Sequence, residues 1–265
     1  MIVHNLDPVL IDLGFFQIRW YSIAYILGII LGWLYASIII KNYNDIININ
    51  KADFEDLIIY LVAGIIFGGR LGYVIFYDPI YFIQNFSEIF KIWNGGMSFH
   101  GGVLGVIIAT FIFTKISKNS FFKFTDIIAC VAPIGLFLGR IANFINAELF
   151  GKATTVPWAV IFPNVDNLAR HPSQIYEAIL EGVFLFLIIN FLAIKNKLLL
   201  KPGYISGFFL IFYSIARIVS ENFREADAHL GYFFNYFSMG TMLSALTFLS
   251  GCCIVFYIKN NEQNN

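Results

Sequence analysis

The 265-residue chain is 58% hydrophobic, 18% aromatic and only 13% charged, with a mean hydropathy of +0.74 and a formal net charge of zero. Soluble domains average about 45–50% apolar and about 25% charged residues, so this chain has too little polar surface to cover a water-soluble globule. A neutral chain also lacks the basic field that a nucleic-acid partner would require.

Crossing a hydrocarbon core takes roughly 20 apolar residues. Runs of that kind predict seven transmembrane helices, at about 20–40, 57–77, 98–115, 126–146, 178–194, 204–220 and 236–258. The leader MIVHNLDPVLIDLGFFQ carries Asp7 and Asp12 and no lysine or arginine, the opposite of a basic signal-peptide n-region. Lysines then follow alternate spans: Lys41 and Lys51; Lys115, Lys118 and Lys123; Lys195, Lys197 and Lys201; Lys259. The other face receives only Lys91 and Lys152. The positive-inside rule therefore places the N-terminus outside and the C-terminus in the cytoplasm. The expected architecture is an all-α integral membrane protein, one polytopic domain over 1–265. The fourth-to-fifth connection, 147–176, is expected to form a small external cap.

Gly28/Gly32, Gly64/Gly68/Gly72, Gly101/Gly105 and Gly135/Gly139 recur at four residues, a spacing that lets helix backbones approach closely. Cys130, Cys252 and Cys253 have no metal or redox spacing and read as small apolar fillers.

The arginines behave unlike the lysines. Arg19, Arg70, Arg140, Arg170, Arg217 and Arg224 all fall on the outer side or near the outer end of a span. An intramembrane arginine costs roughly 2.5–3.5 kcal/mol and marks a functional site by default. Arg70, Arg140 and Arg217 lie at one depth in three helices. The structural alternative is that each snorkels outward or pairs with an acid.

Polar stretches gather at the same depth. Arg19-Trp20-Tyr21 opens the first span, where the aromatics also suit an interfacial belt. Arg70-Leu71-Gly72-Tyr73 is similar in character. In the stretch from Asn94 to Gly102, glycines flank His100, which is placed to accept a proton near neutral pH or, alternatively, to cap the helix entry. Between Gly139 and Gly151, Arg140, Asn143 and Asn146 recur every three residues and so share one side of a helix. A guanidinium and two amides there suit a phosphate or glycerol headgroup, or an interhelical hydrogen-bond network. Ser173 reads as the N-cap of the fifth span, after Pro172. Tyr213, Arg217, Glu221 and Arg224 form one polar stripe on the sixth, where Glu221 orients one arginine and leaves the other for an anion.

These motifs together resemble the prolipoprotein diacylglyceryl transferase family. The segment Gly139-Arg140-Ile141-Ala142-Asn143-Phe144-Ile145-Asn146-Ala147-Glu148-Leu149-Phe150-Gly151 looks like the family signature. Trp20-Tyr21, His100-Gly101-Gly102, His171-Pro172-Ser173-Gln174 with Tyr176-Glu177, and Arg217 with Glu221 and Phe223-Arg224-Glu225 follow in the family's order, from about residue 8 to 258. The resemblance implies a bacterial inner-membrane transferase that uses phosphatidylglycerol and the lipobox cysteine of prolipoproteins. Its products are a thioether and glycerol 1-phosphate, and it needs no metal or nucleotide cofactor. The site would face the outer leaflet and periplasm. The catalytic residues would be His100, as base, with Arg140 and Arg217. Tyr21, Arg70, Asn143, Asn146, Glu148, Gly151, Tyr213, Glu221 and Arg224 would bind the lipid, with Glu148 and Glu221 orienting the arginines. An anion or lipid transporter would instead spread polar groups through the membrane depth, and the inner halves of these spans are nearly free of charge. A seven-span receptor has no need of the His, Asn and Arg cluster.

Overall fold

The computed structural model describes residues 2–14, 17–77, 79–92, 95–225, 232–233 and 237–263, with Ile46, Phe99, His100, Tyr232, Phe233 and Phe237 described through their backbone alone. Its polarity is the reverse of a soluble globule. Ile59, Phe67 and Phe256 are 70%, 69% and 65% exposed, while Gln174, Glu177 and Glu181 are completely buried. Apolar groups face outward where the solvent is hydrocarbon, and polar groups turn inward to find partners. Among the described residues, six helices are long and apolar enough to cross a membrane: Trp20–Asp45, Lys51–Phe76, Phe121–Ile145, Ser173–Lys195, Tyr204–Glu221 and Met239–Gln263. The third expected span is present as a helix whose apolar stretch, Gly101–Ile116, is shorter.

The chain forms two compact units, Met1–Ile38 with Asp126–Asn265, and Ile39–Thr125. In the second, α2 (Lys51–Phe76) packs on α4 (Phe99–Ile116). Asn50 caps α2 by accepting from the Ala52 N–H at 3.1 Å, and Ser98 caps α4 by accepting from the Gly101 N–H at 3.2 Å. The expected glycine stripes are the contact. A Cβ on Gly64 would lie 2.5 Å from the Gly105 carbonyl oxygen, and one on Gly72 would lie 2.7 Å from the Gly101 Cα. Between them run a short helix, α3 (Pro79–Gln84), and a 3-10 turn, Phe86–Phe90, neither anticipated from hydropathy.

The larger unit begins with a strand, β1 (Ile2–Val3), and a hairpin of β2 (Val9–Asp12) and β3 (Gln17–Arg19), which leads into α1 (Trp20–Ile47). Gly28 of α1 rests on Gly135 of α5 (Phe121–Ile145), where a Cβ would lie 3.2 Å from the Gly135 Cα. After α5, residues of the expected cap fold back as a hairpin, β4 (Val160–Ile161) and β5 (Ala169–Arg170), with β1 added in parallel to β4. The next span is one rod from Ser173 to Lys195. It holds α6 (Ser173–Glu177), a π turn at Ala178–Phe184, α7 (Leu185–Asn190) and a second π turn at Phe191–Lys195. Then come α8 (Tyr204–Glu221), a short hairpin of β6 (Tyr232–Phe233) and β7 (Phe237–Ser238), and α9 (Met239–Gln263).

Two polar ties set the register of these helices. The buried Asp126 carboxylate, at the start of α5, accepts from the Gly203 and Ser206 N–H groups at 2.6 and 2.8 Å and from the Ser206 hydroxyl at 2.6 Å. It therefore caps α8 from another helix and satisfies donors that hydrocarbon would leave bare. At mid-span, the Asn190 amide donates to the Cys130 carbonyl at 3.0 Å and accepts from the Tyr35 hydroxyl at 3.0 Å, joining α7, α5 and α1.

Candidate active site

The last turns of α5 carry Arg140 and Asn143, and Asn146 follows immediately. The chain then reverses sharply. Ala147 and Leu149 take positive φ of 55° and 56°, and the Glu148 N–H donates back to the Asn143 carbonyl at 3.0 Å. That reversal brings the Glu148 carboxylate under both amides, which donate to it at 3.3 Å each. Two residues of the next span lock the turn: the Gln174 amide donates to the Glu148 carbonyl at 2.5 Å, and the Ser173 hydroxyl donates to the Leu149 carbonyl at 2.9 Å. Ser173 is therefore a fastener and not the N-cap expected of it; the cap position is Pro172. The expectation that Glu148 orients an arginine is replaced by this amide pairing. The Asn146 and Gln174 side-chain oxygens are buried without a donor among the described residues.

Arg140 itself turns toward the rod. Gly182 makes room, since a Cβ there would lie 2.6 Å from the Phe137 Cβ. One turn beyond Phe137 and one residue before Gly182, Arg140 therefore meets Glu181. Its Nε and Nη2 donate to Glu181 Oε2 at 3.1 and 2.9 Å, and its Nη1 lies 2.8 Å from Glu177 Oε2. Arg217 of α8 approaches the same acids from the other side. Its Nη1 lies 3.0 Å from Glu177 Oε1 and 3.3 Å from Glu181 Oε1, and its Nη2 donates to Glu221. Ser220 donates to Glu181 Oε1 at 3.4 Å, and Ser238 to Glu221 Oε2 at 2.8 Å. Tyr213 is within electrostatic reach of Arg140, Arg217, Glu177 and Glu181.

The stripe on α8 thus holds as expected for Glu221, which does orient Arg217. Arg224 is not the free cation that the spacing suggested: it is buried and its Nη1 lies 3.9 Å from Glu177 Oε1. Gly151 is explained by a close approach. A Cβ there would strike the His171 carbonyl and lie 2.7 Å from the Phe223 oxygen, because residues around 151 run between those around 171 and 224. Arg170 clamps the same junction, donating to the Gly151 carbonyl at 3.0 Å and pairing with Asp166 at 2.5 Å and Glu225 at 3.3 Å. The hydrogen bond to Arg170 holds the Asp166 carboxyl below the usual range, and the same bond raises Arg170. His171 shares a proton-bearing contact with Tyr176 at 3.1 Å; burial first, and Lys152 second, keep its imidazole below the ordinary value.

Other expected site residues have partners of their own. Tyr21 lies 3.5 Å from Tyr25, hydroxyl to hydroxyl, and Tyr25 is within electrostatic reach of Arg140. Arg70 belongs to the smaller unit, where its guanidinium donates to the carbonyls of Glu88, Ile89, Gly95 and Gly96 at 2.5, 2.9, 2.5 and 3.0 Å. It holds together the loop ahead of α4, in which Gly95 and Gly96 take φ of 82° and 77°. His100 occupies the first turn of α4, and its side chain lies outside the described residues. Among the described residues no group of His, Cys, Asp and Glu is arranged to hold a metal ion.

Glu177 stands in the sequence only as part of a motif, and Glu181 has no place among the expected site residues. Their signal was nonetheless present: two acids four apart on one face of an apolar span are costly unless they meet cations.

The family model for prolipoprotein diacylglyceryl transferase matches residues 8–257. A phosphatidylglycerol–prolipoprotein diacylglyceryl transferase of Rickettsia typhi (strain ATCC VR-144 / Wilmington) is 48% identical over 255 residues, covering 96% of this chain and 98% of its own. The protein of the same name from Rickettsia felis (strain URRWXCal2) is 49% identical over 251 residues, covering 95% and 96%. One from Rickettsia bellii (strain OSU 85-389) is 47% identical, covering 95% of both chains. A match of this length, running through every element that builds the buried cluster, makes the chain a member of the prolipoprotein diacylglyceryl transferase family.

Proposed function

We propose that this chain transfers the diacylglyceryl group of phosphatidylglycerol to the lipobox cysteine of prolipoproteins, the first step of bacterial lipoprotein maturation. The thiol sulfur forms a bond to the glyceryl carbon, the carbon–oxygen bond to phosphate breaks, and its electron pair leaves with glycerol 1-phosphate. The observation that carries this reading is the joining of Arg140 and Arg217 through shared buried acids at the ends of α5 and α8. Negative charge develops on the phosphate ester as its bond breaks, and guanidinium donors fixed in a poorly hydrated setting stabilise it without reorganising. Neighbouring arginines need that shared counter-charge: like charges about 5 Å apart repel by about 3 kcal/mol at an effective dielectric of about 20.

A thiol of ordinary pKa about 8.5 is mostly protonated at neutral pH, so the reaction needs a base. His100 takes that role, and Arg70 acts with it by holding the glycine loop that leads into α4. The buried Asn146 oxygen, with Asn143, Glu148 and Tyr21, receives the glycerol headgroup; acceptors without donors suit a diol. Tyr213, Glu221 and Arg224 complete the phosphate side, and Gly151 closes the turn. The reading takes the chain as seven spans in the inner membrane with the N-terminus outside and the site at the outer leaflet, and the lysine asymmetry supports it.

The test is to incubate the purified protein with phosphatidylglycerol vesicles and a lipobox peptide, and to follow peptide mass and glycerol phosphate release. A diacylglyceryl adduct on the cysteine peptide, none on a Cys-to-Ser peptide, is expected; no adduct in folded protein overturns the reading. Arg140→Ala should lower the rate by about 10²–10³-fold. If His100→Gln leaves turnover near the parent value, the base is another group.

A further inference from the structure

Arg140 is held from outside its own helix, and Arg217 is shared between Glu221 of its own helix and the neighbouring rod; one carboxylate of that rod, Glu181, reaches both. We propose that Glu181 is a positioning residue of the active site, setting the spacing and aim of Arg140 and Arg217 together. This rests on the assignment of those arginines to the phosphate ester.

Each oxygen of Glu181 is committed to a different arginine. Oε2 accepts from Arg140 through both Nε and Nη2, at 3.1 and 2.9 Å, so the guanidinium is held along its edge and cannot swing. Oε1 accepts from Arg217 Nη1 at 3.3 Å and from the Ser220 hydroxyl at 3.4 Å. The side chain is completely buried, and so acts through the arginines. Glu177, one turn earlier, is a different kind of partner. It lies 2.8 Å from Arg140 and 3.0 Å from Arg217, yet neither of its oxygens is aligned for a hydrogen bond. Glu177 supplies counter-charge; Glu181 supplies direction as well. The backbone supports the distinction, because Glu181 lies inside the π turn Ala178–Phe184, next to the Gly182–Phe137 contact that brings α5 close.

Glutamine at 181 has one acceptor oxygen and one amide donor. Whichever way it turns, one arginine faces an N–H₂ group, so one of the two is released. Aspartate is a methylene shorter and reaches neither well.

The experiment measures kcat and KM for phosphatidylglycerol in the vesicle and peptide assay, with melting in detergent followed alongside. Glu181→Gln is expected to lower kcat by about 30-fold or more while KM moves by less than about threefold, because the lost interaction is made in the transition state. In an Arg217→Lys background the same change should cost less than a third of that factor, since the lysine has already lost the fork that Glu181 aims. A kcat for Glu181→Gln within threefold of the parent, or the full factor repeated in the lysine background, overturns the proposal. If Glu181→Gln does not fold, Ser220→Ala decides: it takes the hydroxyl from Oε1 and from the Arg217 carbonyl, its two acceptors at 3.4 and 3.0 Å, and leaves every charge in place. A kcat loss of about threefold at unchanged melting supports the proposal, and an unchanged kcat overturns it. Arg140→Ala and Arg217→Ala run in the same assay separate the two levels. Should they remain active, the phosphate assignment fails; should they be inactive while Glu181→Gln is not, the positioning role alone fails.

Discussion

The pair α2 and α4 holds together by the lack of side chains, whereas α5, the Ser173–Lys195 rod and α8 hold together by charge. Both are answers to one problem. In hydrocarbon no hydrophobic force drives helices together, so contact must come from close van der Waals packing or from polar groups that have nowhere else to go. The glycine interface tolerates nothing in the gap: a Cβ on Gly68 would overlap the Gly101 carbonyl. The ionic interface tolerates shape change better but not the loss of a partner, since an uncompensated buried charge costs about 3–5 kcal/mol. The first kind builds a frame, and the second fixes the direction of groups that can act on a substrate.

The contrast is broken most sharply at Gly105. A Cβ there would overlap the Gly64 carbonyl, so Gly105→Val should destabilise the protein by about 3 kcal/mol or more, seen as a melting loss in detergent. Gly139, on α5 beside Arg140, has nothing within 4 Å of its Cβ position. Gly139→Ala should leave melting unchanged or raise it slightly, through a helix propensity gain of up to about 1 kcal/mol. Equal losses at the two sites would mean that the glycine spacing is not what matters.

Asp126 tests the ionic kind away from the site. Asp126→Ala strips the Gly203 and Ser206 N–H groups of their acceptor and should lower stability by about 2 kcal/mol. An unchanged melting temperature would show that the capping bonds carry nothing.

The smallest effect belongs to the residues around β4 and β5, where charge pairs meet water and are correspondingly weak. His171 is held below the ordinary imidazole value of about 6.5. Its folded form resists protonation, so its contribution is complete above that value and is lost as pH falls below it. Asp166 is also depressed, by Arg170, and its contribution survives until pH falls below the ordinary carboxylate value of about 3.9. Hydrogen exchange at 151–153 and 169–171 should therefore quicken between pH 7 and 5 after correction for intrinsic rates, and again near pH 3. His171→Asn should remove the first step alone; a profile flat from pH 7 to 5 in the parent would contradict the reading.

Much of the site was readable in one dimension. Asn143 and Asn146 do come together, on Glu148, and Glu221 does meet Arg217 one turn away, whereas Arg140 turns to Glu177 and Glu181. Arg70 looked equivalent to Arg140, being an arginine late in an apolar span. It differs because a loop of carbonyls, distant in sequence and turned by Gly95 and Gly96, takes its donors. Ser173 looked like a cap because a serine hydroxyl at the start of a span suits that position, but the Leu149 carbonyl claims the hydroxyl. Asp126 has its partner 77 residues away along the chain, beyond any local pattern. Glu181 is marked locally by its spacing from Glu177, but Arg217, which it meets, lies 36 residues away.

The solvent, the order of the helices, the glycine seam and the polar face of α8 are legible from hydropathy or from spacing within one helix. Which acid serves which arginine is settled by packing alone. That choice depends on how α5, the rod and α8 pack, where Gly182 admits Phe137 and the π turn aims Glu181, and a buried charge takes whichever partner the packing brings within reach.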